Sequence, residues 1–175
     1  MQVLPRHTFL WEYLSDYQKA LIMDGEMLLE HSNMLKKNIS DYSFLVFPFS
    51  KAYEGFLKKF FLDIGLIKQD EYYSDDIRIG RLLNPGYMKK NGGGLYFSLC
   101  KHEKGGQELS DVLWGIWKKG RNEVFHYFPH NFKKLSYEEA LEIINDVVKA
   151  MELAVNQCQL DIKDSLVSTT AGVEN

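Results

Sequence analysis

Between residues 42 and 64, Val46, Phe49, Tyr53, Phe56, Leu57, Phe60 and Ile64 recur at three- and four-residue spacing. Only an α-helix gathers residues so spaced onto one face, because strand side chains alternate with a period of two. A stripe this broad and aromatic must be buried against other elements. Pro48 lies near the start of the stretch and either begins the helix or kinks it, since it lacks the N–H that continues the ladder. Gly65 stands where a helix closes with a left-handed residue. Glu54 falls on the flank of the stripe. It reads either as a solvated edge carboxylate or as a half-buried one that requires a cation.

The same period recurs elsewhere. Over residues 8–38, Leu14, Tyr17, Leu21, Leu28, His31 and Leu35 follow it, with Met23, Met27 and Met34 alongside. Methionines at this spacing read as core filler, and His31 as a satisfied core histidine. Gly25 weakens the helix, so one helix or two fit the pattern. Residues 1–7 read as an arm. Asn38-Ile39-Ser40-Asp41 reads as a turn with N-cap candidates. A short helix is expected over 77–83 and a longer one over 107–128, its core face carrying Leu109, Val112, Leu113, Ile116, Gly120, Val124 and Tyr127. Pro129 stops it. Ser136 and Glu139 form a capping box for a final helix running to about residue 162. Residues 84–106, with Asn91-Gly92-Gly93-Gly94, read as a long loop containing an extended segment at 95–99, and residues 165–175 as a polar, disordered tail. The glycines do not match the phosphate-binding GxxxxGK[ST] pattern. The expected fold is all-α: one domain over residues 1–164, an antiparallel bundle of four to five long helices with one Gly-rich loop.

Charge and cysteine usage narrow the function classes. A net charge of −3 and a pI near 6.0 argue against a protein that coats nucleic acid, and against DNA as a partner. Any RNA contact must be local. Cys100 and Cys158 are far apart with no CxxC, which fits a reducing cytoplasm. No secretory signal is visible at the N-terminus, and the apolar run at 44–49 is too short to span a membrane.

The residues with the most chemical content are Arg121, Asn122 and His126, inside the apolar-periodic stretch Gly120-Arg121-Asn122-Glu123-Val124-Phe125-His126-Tyr127. Five helical residues rotate about 500°, or about 140° net, so Arg121 and His126 flank one broad face. Trp114 and Phe125 share that face, which suggests that a second copy of the chain covers it. An imidazole exchanges protons near neutral pH, so it can take the 2′-hydroxyl proton of RNA and return one to the leaving oxygen. A guanidinium binds phosphate through paired hydrogen bonds and stabilises developing charge. Attack by the internal 2′-hydroxyl needs no metal and leaves a cyclic phosphate. Lys118 and Lys119 just upstream add local attraction for phosphate. The plainer alternative is an arginine paired with Glu123 or Glu54, and a histidine capping the helix end. His126 and His130 are four apart, but Pro129 intervenes and a third ligand is lacking nearby, so no metal or other cofactor is expected.

The stretch Arg121-Asn122-x-x-x-His126 resembles the RxxxxH signature of HEPN-domain proteins. Tyr42-Ser43-Phe44-Leu45-Val46-Phe47-Pro48, continuing through Lys51-Ala52-Tyr53-Glu54-Gly55-Phe56-Leu57-Lys58-Lys59, resembles the RnlA (RNase LS) toxin branch of that group. Together the two matches cover about residues 40–160. The resemblance implies an all-α bundle, a homodimer with a shared cleft, and metal-independent endoribonuclease activity in toxin–antitoxin or anti-phage defence, with an antitoxin protein as a possible partner. It implies that Arg121 and His126 are the catalytic pair and Asn122 their polar neighbour. Glu54 corresponds to an acid that orients the arginine, and Lys51 to a basic residue that helps bind RNA. Two other readings remain: a non-catalytic dimerisation or binding module that regulates or scaffolds a partner, and a DNA- or nucleotide-binding regulator.

Overall fold

The computed structural model describes residues 1–34, 39–86, 106–126, 129 and 134–158. The expectations for the glycine-rich loop and its extended segment, for Leu35, Cys100, Tyr127 and His130, and for the C-terminal tail lie outside the described residues. Every described element is helical: α1 (Phe9–Tyr13), α2 (Asp16–Met34), α3 (Ser43–Asp63), α4 (Gln69–Tyr73), α5 (Ile79–Leu83), α6 (Gly106–Trp117), a π turn (Lys118–Asn122), α7 (Glu123–Phe125) and α8 (Tyr137–Gln157). The chain is therefore all-α over these residues.

Helix α3 is the hub. It packs against α2 on one side and α8 on another, and it touches the π turn and α7. Its buried face carries Val46, Phe49, Tyr53, Phe56, Leu57 and Phe60, the stripe expected from the spacing. Pro48 is buried inside the helix without ending it. At the far end Gly65 has φ +73°, Gly65 N–H donates to Leu62 O (2.9 Å), and Leu66 N–H donates to Phe61 O (2.8 Å). Those two bonds are a Schellman closure, and the positive φ is why the residue is glycine.

Helix α2 departs from the expected phase. The chain does break into two helices, but at Ser15 rather than Gly25. Ser15 N–H donates to Gln18 Oε1 (3.0 Å) and Gln18 N–H to Ser15 Oγ (3.4 Å), a capping box that opens α2. The buried face is Gln18, Ile22, Gly25, Glu26, Leu29 and Ser32. Tyr17 is 86% exposed, and Met23, Met27, Met34 and His31 also face outward. The methionines are therefore not core filler and His31 is not a core histidine; its Nδ1 lies 2.8 Å from the Met27 carbonyl. Two contacts set this phase. A Cβ on Gly25 would overlap the Phe49 ring, so α2 admits that ring of α3 at a residue that has no side chain. Glu26 points inward because it holds residues 1–7, accepting hydrogen bonds from Val3 N (2.8 Å) and Leu4 N (3.1 Å) and pairing with Arg6. The expected arm is thus docked, with Leu4 fully buried.

The starts of α3 and α8 are tied together. Asp41 accepts from Ser43 N (3.0 Å), Ser43 Oγ (2.7 Å) and Leu135 N (3.1 Å), while Tyr42 N donates to Leu135 O (3.0 Å). One residue on, the expected Ser136–Glu139 capping box opens α8. Burial alone would raise the Asp41 carboxyl, but the Ser43 hydroxyl, the Leu135 and Ser43 amides and nearby Lys134 outweigh it and hold the pKa below its usual value. A depressed folded pKa means that the stabilisation is complete above the unfolded value of ~3.9 and is lost as pH falls through the folded value. Asp41→Asn should cost roughly 1–2 kcal/mol at neutral pH. It should also flatten the acid limb of a urea-denaturation series. An acid limb as steep as wild type would show that Asp41 is not the titrating clamp.

Candidate functional site

Beyond α6 the helix widens. Glu123 N–H donates to Lys118 O, five residues back, instead of four back as in an α-helix. The wider turn carries Arg121 and Asn122. After the short α7 the chain leaves helical geometry at His126, whose backbone is extended (φ −96°, ψ 130°). The net rotation expected between Arg121 and His126 therefore does not apply, since it assumed an unbroken α-helix. The two residues nevertheless line one groove.

Contacts from three neighbours position this rod. Tyr53 OH on α3 donates to Leu113 O (3.0 Å), and Ser50 Oγ, one turn earlier, donates to Gly120 O. Burial pushes the Tyr53 hydroxyl well above its usual range, which keeps it a proton donor. From the other side α8 presses on Gly120, where an added Cβ would lie 3.2 Å from Val147 Cγ2. The buried Trp117 indole packs on α5: a Cβ on Gly80 would lie 2.5 Å from its Nε1. Gly80→Ala should destabilise the fold by roughly 1–3 kcal/mol through this overpacking. Thermal denaturation reads the effect, and an unchanged midpoint would mean that the indole moves without cost.

Trp117 and Glu54 together hold Arg121. Its Cζ sits 4.8 Å from the centroid of the Trp117 ring, and its Nε donates to Glu54 Oε2 (3.2 Å). Between the two sequence readings of Glu54, the structure selects the half-buried carboxylate with a cationic partner. Both side chains keep over a third of their surface in water, so the pair adds little stability and acts mainly to orient. The bond uses Nε, not the two terminal Nη groups.

The groove measures about 430 Å³ and is lined by Phe47, Ser50, Lys51 and Glu54 of α3 together with Arg121, Phe125 and His126. Among the expected site residues, Lys51, Glu54, Arg121 and His126 are brought together. Asn122, Lys118 and Lys119 are not. Asn122 makes no cap bond to α7, Lys118 lies 5.7 Å from the Trp114 ring centroid, and Lys119 pairs with Asp146 (2.8 Å) and Glu142 (3.6 Å) on α8. The Asp146 hydrogen bond raises the Lys119 pKa, partly opposed by desolvation. The face expected to need a second copy is partly covered within the chain, because Phe125 meets Phe47 edge-on at 5.8 Å and Lys118 overlies the half-buried Trp114.

Sequence reasoning missed Phe47, Ser50 and Trp117. Phe47, Ser50, Lys51 and Glu54 follow three- and four-residue steps on α3, so the signal was a second stripe beside the core stripe. Trp117 lies four residues before Arg121 but was not counted on the core face.

A second concavity of about 410 Å³ beside α4 and α5 is lined by residues including Asp70, Asp76, Arg78 and Arg81, and holds none of the expected site residues. Among the described residues no cluster of three His, Cys, Asp or Glu could hold a metal ion, and no helix is long and apolar enough to cross a membrane. No family model, curated protein or solved structure matches this chain.

Proposed function

We propose that this chain is a metal-independent endoribonuclease of the HEPN type, with a toxin or anti-phage defence role, acting in the cytoplasm as a homodimer with a shared cleft. The observation that carries the reading is the held arginine. Glu54 takes Nε and Trp117 supports the guanidinium, and Arg121 so held lines a groove together with His126 and Lys51. A guanidinium oriented in this way suits the bidentate binding of a phosphate.

In the reaction, His126 takes the 2′-hydroxyl proton and the 2′-oxygen attacks the adjacent phosphorus. The bond to the 5′-oxygen breaks, and an imidazolium returns a proton to that leaving oxygen. The products are a 2′,3′-cyclic phosphate and a 5′-hydroxyl. Arg121 stabilises the charge gathering on the phosphoryl oxygens. Glu54 orients Arg121, and Lys51 binds the RNA backbone. Asn122 is assigned a positioning part from the resemblance alone. Lys118 adds local positive charge, while Lys119 adds less because Asp146 and Glu142 already face it. The dimer is what the resemblance implies: one copy offers one Arg–His set, and a two-fold would place two such sets on one cleft.

A second reading is favoured by the same ion pair. Arg121 already has a carboxylate and an aromatic ring, which would suffice for a non-catalytic module that binds a partner or regulates one. Incubating purified protein with RNA in the presence of a chelator separates the two. Cleavage leaving cyclic phosphate ends supports the enzyme, and a chain that cuts no RNA while it binds a protein partner supports the module.

A further inference from the structure

We propose that Phe47 and Phe125 form a stacking platform for one unpaired base of the RNA, beside the phosphate bound by Arg121, so that the groove selects single-stranded over duplex RNA. The inference rests on the ribonuclease reading and names its substrate class.

Both rings belong to the groove wall. Phe47 stands one turn before Lys51 on α3, and Phe125 directly precedes His126. Their centroids are 5.8 Å apart at 78°. An edge-to-face pair uses only one of the four ring faces, and Phe47 remains 56% exposed and Phe125 40%. Tyr53, Phe56 and Phe60 of the same helix stack on one another in the core, whereas Phe44, also exposed, lies against Tyr42 and does not line the groove. Two large apolar rings left in water at the mouth of a cationic groove are the unusual feature.

The charge beside them decides the occupant. A nucleotide offers a π-face to the rings and, one sugar away, an anion to Arg121 and Lys51. Stacking on exposed aromatics next to a basic groove is how unpaired bases are held without sequence readout. The groove volume of about 430 Å³ falls in the range of small-ligand sites. In the proposed dimer a second Arg121 and Lys51 would add to the positive charge of the cleft, which favours a polyanion as the occupant beside these rings. Duplex RNA keeps its bases paired and stacked, so it has no free base face to offer.

The test uses the full chain and two fluorescent single-stranded probes that cannot be cut: a 2′-O-methyl oligoadenylate and the same backbone with abasic positions. Phe47→Leu and Phe125→Leu keep apolar volume but remove the π-face. Each should weaken oligoadenylate binding about 5- to 150-fold, leave abasic binding unchanged, and be rescued by Phe→Tyr. Equal losses on both probes, or no loss on either, overturn the platform even if the wild type cuts RNA. So does a variant that dissociates the dimer while binding oligoadenylate as well as wild type, because the rings then belong to a second copy. A wild type that neither cuts nor binds RNA removes the ribonuclease reading itself, and the platform with it.

Discussion

His126→Ala should lower RNA cleavage by about 10²–10⁴-fold while leaving the fold intact, as expected for the loss of a general acid–base group. The two halves of this expectation have separate physical causes. His126 is exposed and stands in extended backbone at the end of α7, outside the packed core. Truncating a surface side chain there should shift stability by no more than about 0.5 kcal/mol. Activity should instead collapse, because among the described residues no other imidazole lines the groove. Arg121→Ala should cost about 10²–10³-fold by removing stabilisation of the phosphoryl charge. Arg121→Lys should restore little, since an ammonium cannot reproduce the planar fork or its seat over Trp117. The double variant should be scarcely worse than the worse single one, because the two residues act on one transition state. Cleavage rates for the five proteins on one RNA, alongside circular dichroism, decide the matter. Wild-type rates in both single variants would sink the assignment. A loss of rate that tracked a loss of helicity would assign the pair to structure instead.

Glu26→Ala should be among the most destabilising single changes on α2, by roughly 3 kcal/mol. Breaking a buried ion pair by removing one partner costs about 3–5 kcal/mol, and the low end applies because the Arg6 side chain is 35% exposed and can turn to water. Glu26 is only 7% exposed and accepts from Val3 N, Leu4 N and Arg6. Its removal strands two backbone donors, takes the carboxylate from Arg6, and loosens the hold on the fully buried Leu4. At ~2–4 °C per kcal/mol for a domain of this size, the midpoint should fall by roughly 6–12 °C. Glu26→Gln should fall between the two, because an amide oxygen can still serve the backbone donors but not the charge. A Glu26→Ala midpoint within a degree of wild type would mean that the arm contributes nothing. Because Glu26 lies far along the chain from the groove residues and lines no part of it, RNA cleavage at low temperature should not change.

Much of this architecture is legible without coordinates. The α3 stripe, the left-handed glycine at 65 and the capping box at Ser136 each follow from spacing or from a local backbone requirement, and each is present. The site is partly legible for the same reason. Arg121 and His126 stand out as charge in an apolar-periodic stretch, and Glu54 as an acid beside a core stripe. Helix α2 was misread because periodicity weighs residues by their own hydrophobicity. There a glycine and a glutamate face inward, one to admit Phe49 and the other to hold a distant arm, and no local rule anticipates either.

The chain's own spacing determined that these segments are helices, where α3 and α8 end or begin, and which side of α3 is buried. Such features depend on residues a few positions apart, which one helix turn brings together. Tertiary structure alone decided that α2 turns its methionines outward, that the helix opens into a π turn at Lys118–Asn122, and that Phe47, Glu54, Arg121 and Phe125 share one groove. Those outcomes depend on partners from 20 to nearly 80 residues away, such as Glu26 with Leu4 and Phe47 with Phe125. Such pairs meet only when whole helices pack.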